Sequence, residues 1–202
     1  MGKDRCLGDN IIFPKLRAAI LRANPWLDPW HEKVVSAPMP YSRAYNKKFA
    51  IAWVNTFESG SWLKICPELC KKPGTGYSWP GSVSDRTVRG VYLHEVGHVV
   101  HGQLKNEWAV LNALRRLGGP RVTSYEPNGE EAFAETFRLF AGNPALLREG
   151  RPWRYEFLLR HGINPIADMP RSWERGLVGK APQRFYDQCE RWILRGKKSV
   201  AV

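Results

Sequence analysis

The residues with the clearest chemistry lie in one run, Val91-Tyr92-Leu93-His94-Glu95-Val96-Gly97-His98-Val99-Val100-His101-Gly102. His94 and His98 are four apart, so on a helix both imidazoles leave from the same side, about 40° from one another. That spacing suits two ligands of one zinc ion. Glu95 points roughly 100° away from His94. There its carboxylate can sit beside a metal-bound water, off the metal itself. Three of the chain's five histidines fall in this run, which argues against chance scatter.

A zinc site needs at least one further protein ligand. Candidates lie in the second run, Asn128-Gly129-Glu130-Glu131-Ala132-Phe133-Ala134-Glu135-Thr136-Phe137-Arg138-Leu139-Phe140. Read as a helix, it sets Glu131 and Glu135 on one face and Phe133, Phe137 and Phe140 opposite, with Glu130 nearer the phenylalanines. Two carboxylates on one face suggest one on the metal and one behind it, accepting a hydrogen bond from a ligand histidine. His101 competes for the ligand role, because it lies on nearly the same helical face as His94. Three ligands from one straight helix fit tetrahedral zinc poorly, so His101 reads better as a residue of the cleft or one supporting a ligand.

Together, HEVGH and the downstream EEAFAETF resemble the glutamate-zincin peptidases, in particular the catalytic domain of anthrax lethal factor and its bacterial and phage relatives. The resemblance covers residues 90–140, about a quarter of the chain. It implies His94, His98 and Glu131 as zinc ligands, Glu95 as general base, Glu135 as support for a ligand histidine, and Tyr125 as the residue stabilising the oxyanion. Tyr125 precedes Glu131 by six positions, one fewer than in the family. The implied fold is zincin-like α+β, a small twisted sheet packed on the HExxH helix with an exposed edge for an extended substrate. The implied activity is zinc-dependent endopeptidase, with a protein or peptide as substrate.

These residues need elements to hold them. A helix is expected over 11–22, with Ile12, Leu16, Ala19 and Ile20 on one face and Asn24-Pro25 ending it. Trp26–Glu32 reads as an aromatic turn, Phe49–Phe57 as the main strand and Ser61–Cys66 as a second strand. The glycine- and proline-rich stretch 71–85 reads as a loop. Helices follow from about Asp85 or Thr87 to Gly102, from Gln103 or Asn106 to Leu117, and from Glu130 to Ala141. The remainder reads as irregular, with a last helix near Ala181–Leu194. Gly97 permits a close approach by a neighbouring backbone.

The 202 residues, 43% hydrophobic and 25% charged, fit one globular domain. Within it, 1–45 form an N-terminal extension, 46–145 the catalytic core and 146–202 a basic helical part. No run approaches the roughly 20 apolar residues of a membrane span. The start lacks a signal peptide's apolar core, which points to the cytoplasm or a non-classical delivery route. Cys6, Cys66, Cys70 and Cys189 lack paired zinc-site spacing, and reduced thiols are the default. Trp53, Trp62, Trp79 and Trp153 serve as core or pocket lining.

The net charge of +12 sits in the flanks, +5 over residues 1–50 and +6 over 145–202. Such flanks allow weak contact with nucleic acid or another polyanion. Two alternatives therefore stand beside the endopeptidase: a metalloprotease acting on DNA-bound proteins, and a catalytically silent virion or effector binding module. Proteases of the first kind usually take a downstream histidine as third ligand, and His161 is the one available. An intact Glu95 weighs against the second.

Overall fold

The computed structural model describes residues 12–34, 39–40, 49–50, 52–55, 62–65, 78–79, 82–83, 88–117, 119–123, 125–126 and 128–166. Among them α-helices dominate, and the strands are two to four residues long. Cys6, Cys66, Cys70 and Cys189, and the helix expected near Ala181–Leu194, lie outside the described residues.

The first helix, α1 (Ile12–Ala23), buries Leu16, Ala19 and Ile20. Its end is fastened by Asn24, whose amide donates to the carbonyls of Ile20 and Asn164, while its Oδ1 accepts from the Asn164 N–H. The chain then turns and enters β1 (His31–Val34), so the end of the expected aromatic turn is strand. The main expected strand is divided. Its start, β3 (Phe49–Ala50), pairs antiparallel with β2 (Met39–Pro40), whereas β4 (Ala52–Asn55) joins a separate three-stranded sheet. That sheet has the order β1-β5-β4, with β5 (Trp62–Ile65) parallel to β1 and antiparallel to β4. Leu63 and Ile65, two apart and therefore on one face, are both buried. The expected loop over 71–85 contains a small hairpin, β6 (Ser78–Trp79) with β7 (Ser82–Val83).

Helix α2 (Val88–Gly102) packs against β4 and β5 on one side and against α4 (Gly129–Gly142) on the other. A helix covered on both sides must be apolar nearly all round. Tyr92, Leu93, Val96, Val99 and Val100 are all buried. Tyr92 also hydrogen-bonds Glu32 of β1, which ties the helix to the sheet. Gly97 sits at the α2–α4 crossing, where an added Cβ would lie 2.7 Å from the Ala134 Cα. Only a residue without a side chain lets the two backbones meet this closely.

Helix α3 (Glu107–Leu117) buries Val110, Leu111 and Leu114. Two helices stand where the sequence reads as irregular: α5 (Pro144–Gly150) and α6 (Pro152–Arg160). Asn143 joins α4 to α5, its N–H bonding the Leu139 carbonyl and its side chain accepting from the Leu146 N–H. Proline opens both short helices at a position where a missing N–H costs nothing.

Candidate metal centre

The tight α2–α4 crossing brings His94, His98 and Glu131 to one point. His94 Nε2 lies 3.2 Å from His98 Nε2 and 2.9 Å from Glu131 Oε2, and His98 Nε2 lies 3.7 Å from that same oxygen. This is a donor set that could hold a metal ion. The backbone N–H of Glu131 is held by Asn128 Oδ1 at 2.9 Å, so the cap of α4 also fixes the carboxylate that faces the histidines.

The chemistry of these atoms calls for a cation. His94 Nδ1 is 2.7 Å from Glu135 Oε1, and a neutral His94 donating there presents a lone pair at Nε2. That lone pair faces a second imidazole nitrogen and a carboxylate oxygen. Glu131 Oε2 is buried without a hydrogen-bond partner, although His94 Nε2 is close by. Burying an unpaired carboxylate oxygen among lone pairs is costly unless a positive charge joins them.

A proton meets the same need. Burial works against charge on His94, yet Glu131 and Glu135 outweigh it and raise the imidazolium to about 10. Burial likewise pushes Glu131 upwards, but the His94 and His98 imidazoles bring it down to about 2. A metal ion held here would therefore compete with the proton for one site.

Glu135 is almost fully buried and is held on its far side by Arg138, whose Nε and Nη2 donate to its two oxygens at 3.2 and 3.1 Å. Against the upward push of burial, Arg138 and His94 hold the Glu135 carboxyl down at about 2. It thus stays an acceptor and orients the His94 ring.

Glu95 is buried one position beyond His94, and no described side chain hydrogen-bonds its carboxyl. Burial pushes that carboxyl above the usual glutamate range, and His94 and His98 pull it part of the way back. Tyr125 is 42% exposed, with its ring centroid 5.8 Å from that of His94, at the rim of the donor set.

The other candidates go elsewhere. His101 is buried with its ring on Phe133 and its Nε2 3.3 Å from the Glu107 carbonyl, a joint between α2, α3 and α4 away from the ligand atoms. Glu130 is exposed. His161 ends α6 with its ring against Phe157, far from any ligand role. Trp153 packs on Gly119, and the side chains of Trp53, Trp62 and Trp79 lie outside the described set.

Four supporting residues escaped the sequence reading: Asn128, Arg138, Glu126 and Arg154. Asn128 before two glutamates is a legible cap signal, and Glu135–Arg138 is a legible i, i+3 pair. The Glu126–Arg154 pair spans 28 positions and has no local signal. No family model, no curated protein and no solved structure matches the chain.

Proposed function

We propose that the chain is a zinc-dependent endopeptidase of zincin-like α+β fold, in which His94, His98 and Glu131 hold the metal. The observation that carries this reading is the convergence of two imidazole nitrogens and an orphaned carboxylate oxygen, separated by 2.9, 3.2 and 3.7 Å. Ligand atoms of a zinc tetrahedron, with bonds of ~2.0–2.1 Å, stand about 3.3 Å apart. Two imidazoles and one carboxylate, the three candidate ligands among the described residues, are the kind of donor set that catalytic zinc sites use.

Zinc, when bound, supplies Lewis acidity towards water and the scissile carbonyl. The chain supplies the rest. Glu95, with its carboxyl pushed up by burial, accepts the proton of the attacking water and returns it to the leaving amine. Tyr125, at the rim, donates its phenolic hydrogen to the developing oxyanion. Glu135 and Arg138 keep the His94 ring in the orientation that turns Nε2 towards His98 Nε2 and Glu131 Oε2, where these three residues would hold the ion.

Zinc quantitation tests the metal assignment. Purified protein should carry about one zinc per chain, and His98→Ala should lose it, because too few ligands remain. Full zinc occupancy in His98→Ala contradicts the site.

The net charge of +12 favours one second reading, a metalloprotease acting on DNA-bound proteins. Retention on DNA-cellulose, with steep elution by salt, separates it from a protease without nucleic-acid affinity.

A further inference from the structure

We infer that the buried Glu126–Arg154 ion pair is a positioning device for Tyr125, an inference that rests on the peptidase reading. Glu126 follows Tyr125 by one position and is 6% exposed. Its Oε1 accepts from the backbone N–H groups of Val122 and Thr123 at 2.6 and 3.1 Å. Its Oε2 accepts from Arg154 Nη2 at 2.9 Å. The Thr123 hydroxyl in turn accepts from the Tyr125 N–H at 3.2 Å. The loop is thereby folded back on its own carboxylate, with anchors on both sides of Tyr125.

Arg154, also 6% exposed, connects this loop to the metal helix. Its Nη1 donates to Thr136 Oγ1 at 2.8 Å, and Thr136 donates to the Ala132 carbonyl within α4. Thr136 follows Glu135 directly, so one guanidinium spans the loop bearing the phenol and the helix bearing the two site carboxylates. The neighbouring Arg151 adds hydrogen bonds to the carbonyls of Pro120 and Arg121, where the loop begins.

Val122 is buried in the core, and beyond it the loop is fastened by this polar clamp. On one side the loop borders a cavity of about 390 Å³ lined by Arg121, Glu126, Ala132 and Arg154. A buried ion pair is poor at adding stability, since desolvation offsets most of its attraction. What it supplies is geometry, because both partners must stay within hydrogen-bonding reach. A phenol displaced by about 1 Å from its oxyanion can forfeit about 100-fold in rate.

The test is a double-mutant cycle with Tyr125→Phe, read on a quenched fluorogenic peptide chosen from those the wild type cleaves. Glu126→Gln should lower kcat about 10–100-fold with KM and zinc content unchanged. In the Tyr125→Phe background it should lower kcat no further, because the phenol it positions is gone. Multiplied losses in the double variant, or wild-type kcat in folded Glu126→Gln, overturn the inference. Should Glu126→Gln fail to fold, Thr136→Val removes the anchor on α4 while keeping the ion pair, and the same cycle applies. Wild-type kcat in Tyr125→Phe removes Tyr125 from the mechanism and this inference with it. A readout independent of hydrolysis is the nuclear Overhauser contact between the Tyr125 and His94 rings. It should weaken in Glu126→Gln, and its persistence at wild-type intensity overturns the inference even if no peptide is cleaved.

Discussion

Glu131, Glu135 and Glu130 are near neighbours in sequence, yet the geometry gives them three different fates. Glu131 Oε2 stands among the imidazole nitrogens, Glu135 lies behind His94, and Glu130 is exposed. Glu131→Ala should therefore weaken zinc binding most. Glu135→Ala should weaken it about 10–100-fold, the usual cost of losing the acceptor behind a ligand histidine. Glu130→Ala should leave it nearly unchanged. Competition against a chromogenic chelator ranks the three, and a Glu130→Ala defect exceeding that of Glu131→Ala refutes the assignment. Most of these residues are legible in the sequence. HExxH spacing and an i, i+4 acid pair are helical facts, and the helices formed where the apolar pattern put them. His101 was less legible, because helical angle alone cannot say which neighbour a side chain meets. It meets the Glu107 carbonyl and Phe133.

At the scale of elements, the site depends on how closely α2 approaches α4. Gly97→Ala drives a methyl group to within 2.7 Å of the Ala134 backbone, and backbone cannot swing aside as a side chain can. The helices must part, separating His94 and His98 from Glu131. We expect a loss of about 1–3 kcal/mol in stability, measured by urea unfolding, together with weakened zinc binding. A variant with wild-type zinc affinity contradicts the dependence on this crossing. Asn128→Ala should cost about 1 kcal/mol through the lost cap of α4. Its effect should be larger on zinc affinity than that of Asn143→Ala, since Asn143 caps α5 and does not hold a ligand. The helices α5 and α6 lie where the local sequence reads as irregular, within a C-terminal part expected to be helical. Pro144 and Pro152 look like breakers in a linear scan, yet each occupies the first turn of a helix, where proline is favoured. The described residues of the expected strand over 49–57 are strand, but the run serves two separate pairings, and periodicity cannot reveal a change of partner.

For the whole molecule, the paired charges at the site make stability depend on both metal and pH. In the metal-free protein His94 is raised from 6.5 to about 10, so its contribution is complete below about 6.5 and is lost as pH rises through about 10. Glu135 is lowered from 4.5 to about 2, so its contribution is complete above about 4.5 and is lost as pH falls through about 2. The pair therefore stabilises the metal-free chain fully between those two unfolded values. Zinc acts in the opposite sense, since it must displace the proton from His94. The rise in Tm on adding zinc should grow between about pH 5.5 and about pH 8, whereas a constant rise refutes competition at His94. No helix among the described residues is long and apolar enough to cross a membrane. The proposed zinc site, with Glu95 as its base, should hydrolyse peptides. The most direct test digests a peptide library with wild type and with Glu95→Gln, measuring zinc in the same two samples. About one zinc per chain is expected in both, with cleavage by the wild type and activity lower by at least about 100-fold in Glu95→Gln, whose amide cannot accept the water's proton. Equal cleavage by the two proteins, or no cleavage by zinc-loaded wild type, contradicts the proposal.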